Sequence, residues 1–192
     1  LGQAARAAGA ARFVHVSSVA ALASASAPGT VIGDTATPAP SNLYGQSKLA
    51  GDRRVLALAT AGFHPIVLRP PAIYGPGAKG WFPAFLRAAR AGVPLPLASV
   101  ANRRSFAFVG NVASAIVHAG LSSKATGAFI LTDSPPMSTA EFYALALHAA
   151  GRPRRVFPFP PAMLTPLVRL ALGERTDSLL GDAAFDGSGF ET

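Results

Sequence analysis

The chain has 192 residues, half of them hydrophobic and only 14% charged, which allows one sizeable core and at most a domain and a half. It contains no cysteine, which excludes disulfides, thiolate metal sites and cysteine nucleophiles, and no apolar run reaches the ~18 residues that would argue a membrane-spanning helix. The net charge of +8 is uneven: from Arg53 to Thr132 there is no aspartate or glutamate, while Arg53, Arg54, Arg69, Lys79, Arg87, Arg90, Arg103, Arg104 and Lys124 all fall in that window.

Such a stretch attracts an anion. Its cations are spread over several predicted elements, with no basic helix and no interleaved aromatics, which argues against nucleic acid. A phosphate-bearing small molecule needs only two or three of them.

Leu1 to Ala11 reads as a helix ending near Gly9, without the pattern of a signal peptide. The chain starts inside that pattern and on leucine, so a piece of a longer protein is expected, with the cytoplasm as default compartment. Arg12-Phe13-Val14-His15-Val16 predicts a short buried strand, and Ser17-Ser18 falls at its carboxyl end. In open parallel sheets that edge is where ligands bind. Ala23 to Asn42 is rich in Ser, Pro, Gly and Thr and reads as a long loop. A helix is expected from about Leu43 to Ala61 with Gly62 as its stop, followed by a buried parallel strand, Pro65 to Arg69, closed by Pro70-Pro71. Strand, loop, helix, strand makes half of a doubly wound sheet.

Ala72 to Gly80 formally contains G-x-G-x-x-G. Proline at the second position and the absence of an acidic residue within fifty positions downstream argue against a dinucleotide fingerprint, leaving a turn. A helix from about Trp81 to Ala91 follows, with Trp81, Phe82 and Phe85 read as helix core. Beyond Pro94 and Pro96, Asn102-Arg103-Arg104-Ser105 precedes an alternating strand, Phe106 to Val109, and a helix from about Asn111 to Leu121. Ala128 to Leu131 is strand-like. Ser138-Thr139-Ala140-Glu141 has the form of a capping box opening a helix through His148, stopped by Gly151. Val156-Phe157 reads as a short strand and Pro161 to Leu172 as an amphipathic helix, after which the chain turns polar and glycine-rich.

The chemistry centres on Tyr44-Gly45-Gln46-Ser47-Lys48. A tyrosine and a lysine four apart share one helix face, and an ammonium beside a phenol favours the phenolate, which turns a tyrosine into a proton shuttle. A serine hydroxyl alongside, from Ser17-Ser18, holds the reacting oxygen of an alcohol. His15, His64, His118 and His148 have no metal-ligand spacing, and no G-x-S-x-G elbow makes Ser18 a nucleophile.

Five segments in order carry a resemblance: Arg12-Phe-Val-His-Val-Ser-Ser18, Tyr44-Gly-Gln-Ser-Lys48, Val67-Leu-Arg-Pro-Pro-Ala-Ile-Tyr-Gly-Pro-Gly77, Asn102-Arg-Arg-Ser-Phe-Ala-Phe-Val-Gly-Asn111 and Gly127-Ala-Phe-Ile-Leu-Thr132. Together they resemble the extended short-chain dehydrogenase/reductase family, in its NAD-dependent nucleotide-sugar epimerase/dehydratase branch, and within it the relatives of UDP-glucose 4-epimerase. The resemblance implies an α/β fold: a partial Rossmann-like doubly wound parallel sheet with an interleaved small substrate-binding subdomain. Residues 1–71 would be the later part of the NAD-binding domain, 72–175 the substrate-binding subdomain and last Rossmann elements, and 176–192 the start of a closing segment.

It further implies that Tyr44 is the catalytic base, that Lys48 orients the nicotinamide ribose, and that Ser18 hydrogen-bonds the sugar hydroxyl with Ser17 as fallback. Ser17, Pro70, Pro71 and Ile73 fall where the family touches the cofactor, NAD with NADP left open. Arg104 falls where a family arginine meets the substrate diphosphate, a task suited to arginine's bidentate fork, and Lys79 is a further candidate for binding the substrate. Hydride would pass from a sugar carbon, C4 in an epimerase, to NAD. The implied partner is a nucleotide sugar rather than nucleic acid or membrane, with a homodimer left open for the full-length protein. Ala72 and Trp81 stand near places where many sugar-nucleotide epimerases have asparagine, and Leu22-Ala23 replaces a usual Tyr-Gly. The family's glycine-rich turn has no counterpart here, so the chain alone is expected to lack the main cofactor cradle and activity. A reductase of a steroid or aldehyde carbonyl and a non-catalytic dinucleotide sensor are the competing readings.

Overall fold

The computed structural model describes residues 1–122, 125–133, 135–172 and 176–190. Three parallel strands, β1 (Arg12–Val16), β2 (His64–Arg69) and β5 (Gly127–Ile130), form one sheet in the order β1-β2-β5. Val14 pairs with Ile66 and Val16 with Leu68, and on the other side Ile66 pairs with Gly127 and Arg69 with Ile130. β2 is central, which explains its unbroken apolar run: Ile66, Val67 and Leu68 are all fully buried, as strands covered on both faces require. β1 is paired along one edge only among the described residues.

Helices cover both faces of this sheet. Successive strand residues point to opposite sides. Val14 of β1 lies under Gly120 of α4 (Val109–Leu121), whereas the next residue, His15, lies under Gly51 of α2 (Leu43–Leu56). α1 (Gly2–Ala7) precedes the sheet. Ile66, Leu68, Ala107, Val112, Ala119 and Leu131 make a core beneath α4.

A second unit stands beside it. β3 (Ala72–Tyr74) and β4 (Phe106–Phe108) pair in parallel, and α3 (Phe82–Ala91) packs with α5 (Thr139–Ala149). Its core is aromatic: Phe106 stacks on Phe142 at 4.1 Å, Phe85 meets Tyr143 edge-on at 5.0 Å, and the Tyr143 hydroxyl donates to the Val93 carbonyl at 2.7 Å. Phe82 and Phe85 are buried as expected, but Trp81 is not helix core: it precedes α3 and stays 37% exposed, its ring edge-on to Phe82 and Phe85 at the rim of the cluster. α5 opens on a complete capping box, with Ser138 and Glu141 exchanging hydrogen bonds. α6 (Pro161–Leu172) and α7 (Asp177–Leu180) follow.

The long loop from Ala23 to Asn42 is tied down. Ile32 donates to Ala184 and accepts from Asp186, and the Asp34 carboxylate accepts from the Ile130 amide at 2.6 Å, occupying the outer edge of β5. Burial raises the Asp34 pKa.

Several boundaries differ from the sequence expectations. α2 ends at Leu56, not Ala61, because its last amides tighten to i→i+3 bonds and a Thr60–Phe63 bridge turns Phe63 into the core. Ala72–Tyr74 is a strand rather than part of a turn, since its partner β4 lies far along the chain. α4 begins at Val109 instead of Asn111, so β4 is one residue shorter than expected; the Asp133 carboxylate accepts from the Phe108 amide and the Asn111 side chain there. The alternation expected of β4 is absent: Phe106 and Ala107 are both buried, being covered on both sides. Val156-Phe157 forms a single bridge, Leu95 to Val156, rather than a strand. The polar stretch from Gly173 includes α7; residues 173–175 and Lys124 lie outside the described residues.

Candidate active site

The serines prolong β1. The Ser17 amide donates to the Leu68 carbonyl at 2.7 Å, and the Val19 amide to the Pro70 carbonyl at 3.2 Å, so the loop after β2 runs beside them. Ser18 caps a single 3-10 turn, Val19–Ala21, its Oγ accepting from the Ala20 amide at 3.2 Å. That long bond uses one acceptor lone pair and leaves the hydroxyl proton available. Ser17 is 5% exposed, and its Oγ has no hydrogen-bond partner. Leu22 is buried with Val19, Ile130 and Phe185.

α2 is brought onto this turn at its first residues. Asn42 caps the helix, its Oδ1 accepting from the Gly45 amide at 2.8 Å while its Nδ2 donates to Ser24 at 2.9 Å. Gly45 is pressed against the Ala20 carbonyl: a Cβ there would collide with that oxygen and stand 2.9 Å from the Pro40 Cβ. Only glycine permits this approach, which packs the first turn of α2, where Tyr44 stands, against the 3-10 turn that Ser18 caps. Tyr44 is 56% exposed and open to a ligand, and Lys48 is half-buried with its Nζ 5.8 Å from the tyrosine ring centroid.

One turn further along α2, Asp52 is wholly buried. Its Oδ2 accepts from Arg69 Nε at 2.9 Å, and its Oδ1 lies 3.6 Å from His15 Nε2. Burial lowers the His15 pKa; the Asp52 carboxylate opposes that shift and the Lys48 ammonium reinforces it. This cluster was missed in the sequence. Its signal was present: an aspartate on the Tyr44–Lys48 face, and an arginine ending a strand otherwise too apolar to be exposed.

Pro70 is buried, and Pro71 and Ile73 are half-buried, with Ile73 packed against the Ile66–Leu68 core. Lys79 is exposed in the loop of Gly75, Gly77 and Gly80, all three at positive φ. Arg104 sits elsewhere: its backbone bridges Met137 and Ala183, and its Nη1 donates to the Gly181 carbonyl at 2.8 Å. Burial lowers its pKa, and Asp182 partly offsets this. Arg103 beside it is exposed.

Residues 1–129 match the model of the NAD dependent epimerase/dehydratase family. The chain belongs to this family. It is 30% identical over 152 residues to a UDP-glucose 4-epimerase of Vibrio cholerae, covering 78% of this chain and 46% of that protein. It is likewise 30% identical over 167 residues to 3beta-hydroxysteroid-dehydrogenase/decarboxylase isoform 1 of Arabidopsis thaliana, covering 80% of this chain and 38% of that one. The fold matches that of the UDP-glucose 4-epimerase of Thermus thermophilus, solved in complex with NAD, with a TM-score of 0.72 at 22% identity, over all of this chain and 60% of that one. The chain thus spans about half the length of the curated relatives it matches.

The residues present fit the nicotinamide end of a dinucleotide: the orphaned Ser17 Oγ, the Lys48 ammonium and the exposed Tyr44 hydroxyl lie near the carboxyl end of a parallel sheet. The Gly75–Gly80 loop does not fit the pyrophosphate. A Cβ at Gly75 would stand 2.7 Å from the Phe108 ring and 2.8 Å from Val109, so the first glycine of the motif packs on protein, whereas Gly77 and Gly80 face open space with no close backbone neighbour.

Proposed function

We propose that the full-length gene product is a nicotinamide-dependent oxidoreductase of the epimerase/dehydratase type acting on a nucleotide sugar, with a UDP-hexose as substrate and C4 as the reacting carbon. The observation that carries this reading is the closure of α2 onto the Ser18 turn through Gly45, which sets an open tyrosine, with its lysine, beside a serine. NAD, when bound, supplies the hydride acceptor.

Tyr44 takes the proton from the C4 hydroxyl through its phenol oxygen, and returns one when the ketone is reduced. Ser18 holds the same substrate oxygen with its uncommitted hydroxyl proton. Lys48 stabilises the phenolate and binds ribose hydroxyls. Ser17, Pro70, Pro71 and Ile73 form the wall beside the nicotinamide. Lys79 and Arg104 stand on the diphosphate side; with one Nη of Arg104 committed to Gly181, the neighbouring Arg103 is the second candidate for that contact. Residues 1–71 belong to the NAD-binding domain and carry the catalytic residues, and 72–175 form the substrate-binding subdomain interleaved with the last elements of that domain.

A second reading, oxidation or reduction of a hydrophobic non-sugar carbonyl, is supported by the Arabidopsis relative and by Ala72 and Trp81 standing where polar side chains would otherwise meet a sugar. Thermal protection separates the two. UDP-glucose raising the melting temperature of the NAD-loaded full-length protein, with no effect of a 3β-hydroxysteroid, is the expected result; the reverse pattern refutes the sugar assignment. The 192-residue chain alone is expected to be inactive and to bind NAD weakly, since it carries no glycine-rich dinucleotide turn; micromolar binding by calorimetry would overturn that.

A further inference from the structure

Lys48 and Asp52 are four apart on α2 and so share a face on which an ion pair forms readily. Such a pair would draw the lysine ammonium down towards the sheet and away from Tyr44. It does not form: Asp52 is ion-paired with Arg69, at 2.9 Å, and its other oxygen faces the His15 imidazole at 3.6 Å. Lys48 Nζ instead lies 5.8 Å from the Tyr44 ring centroid.

We propose that Arg69 and His15 are positioning residues that sequester the Asp52 carboxylate from Lys48, leaving the lysine ammonium to Tyr44. Arg69 reaches across from the end of β2 and holds one carboxylate oxygen; both groups are almost fully buried, so the pair cannot dissolve into solvent. His15, the outward neighbour of Val14 on β1, faces the other oxygen. Its Nε2 and Asp52 Oδ1 are both buried, neither has a hydrogen-bond partner, and they face each other at 3.6 Å. The imidazole thereby occupies the approach that Lys48 would need. Around His15 the charged groups are Asp52 and Lys48 on α2, with Arg69 of β2 acting through Asp52; α4 lies on the opposite face of β1, against Val14. Opposing influences of Asp52 and Lys48 on the histidine follow from this placement.

The inference rests on the proposed roles of Tyr44 and Lys48, and its test has two separable arms. The first needs no turnover. The histidine Cε1 protons of the chain are titrated by NMR, with His15→Gln assigning the resonance. Lys48→Met is expected to raise the His15 midpoint and Asp52→Asn to lower it further; a midpoint unmoved by Lys48→Met overturns the arrangement, because Lys48 would then stand away from the cluster.

The second arm measures kcat and KM in the NAD-loaded full-length protein. Arg69→Met releases the carboxylate to Lys48 and is expected to lower kcat about tenfold or more, with KM for the sugar nearly unchanged. Adding Asp52→Asn removes both buried charges together, a change that buried pairs tolerate better than loss of one partner. The double variant is expected to recover kcat to within about threefold of wild type. Equal kcat values for the single and double variants, or a loss confined to melting temperature, would refute a positioning role. Absence of nucleotide-sugar turnover in the wild type would refute the proposed substrate while leaving the NMR arm decisive for the cluster.

Discussion

Two glycines on one helix should respond to the same substitution in opposite ways. At Gly45 an added Cβ would run into the Ala20 backbone carbonyl and press on Pro40; neither can rotate away, so α2 itself must retreat from the Ser18 turn. A comfortable carbon–oxygen contact is about 3.3 Å or more, which demands a displacement of roughly 1 Å. Overpacking of that kind costs about 1–3 kcal/mol, and a 1 Å misplacement of a catalytic group costs about 100-fold in rate. At Gly51 the Cβ would meet only the tip of the His15 ring, at 3.4 Å, which is ordinary contact, while the helix gains up to about 1 kcal/mol in propensity. Gly45→Ala is therefore expected to lower both melting temperature and kcat, and Gly51→Ala to leave kcat intact and hold or raise the melting temperature. Both are read by thermal denaturation and steady-state kinetics of the full-length protein. A Gly45→Ala variant with kcat within about twofold of wild type would refute the claim that this close approach sets the Tyr44–Ser18 geometry.

Three further outcomes are expected. Tyr44→Phe should reduce turnover by orders of magnitude with little change in NAD or sugar binding measured by calorimetry; unchanged turnover would refute Tyr44 as the acid–base group, and binding without turnover in the wild type would favour a non-catalytic protein. Ser138→Ala removes the cap of α5 and should cost about 1 kcal/mol in denaturant unfolding, with no effect on kcat. The folded-state pKa of His15 lies below its ordinary value of 6.5, so the unfolded chain takes up the proton first on acidification. The stability it contributes is present above about pH 6.5 and is lost as pH falls through the folded value; His15→Gln should flatten the melting-temperature profile between neutrality and the carboxylate range.

Much of the fold was legible because the relevant signals are local. β2 is a continuous apolar run and is buried on both faces; Ser138 and Glu141 sit at capping-box spacing and form one; Tyr44 and Lys48 sit one turn apart and meet. What escaped depends on partners distant in sequence. Ala72–Tyr74 is extended only because Phe106–Phe108 zips to it, and the loop around Ile32 is ordered by Ala184 and Asp186 from near the other end of the chain. Asp52 and Arg69 belong to the same class: neither names its partner in the sequence, and only the packing of α2 on β2 makes them a buried pair.

The same distinction changes the meaning of the cationic stretch between Arg53 and Thr132. In sequence it is a uniform positive field; in the fold its arginines divide by task. Arg69 neutralises Asp52, and Arg104 ties the Gly181 carbonyl to the start of β4. Nearby, Arg12 does the same for Ala125, Arg152 for Arg90 and Arg155 for Gly92. A guanidinium suits this work because its several donors reach backbone carbonyls while its charge stays partly hydrated. The net charge of this chain thus measures its structural arginines as much as any ligand it attracts. The cations left at the surface of the stretch, among them Lys79 and Arg103, are the ones whose charge a phosphate can feel.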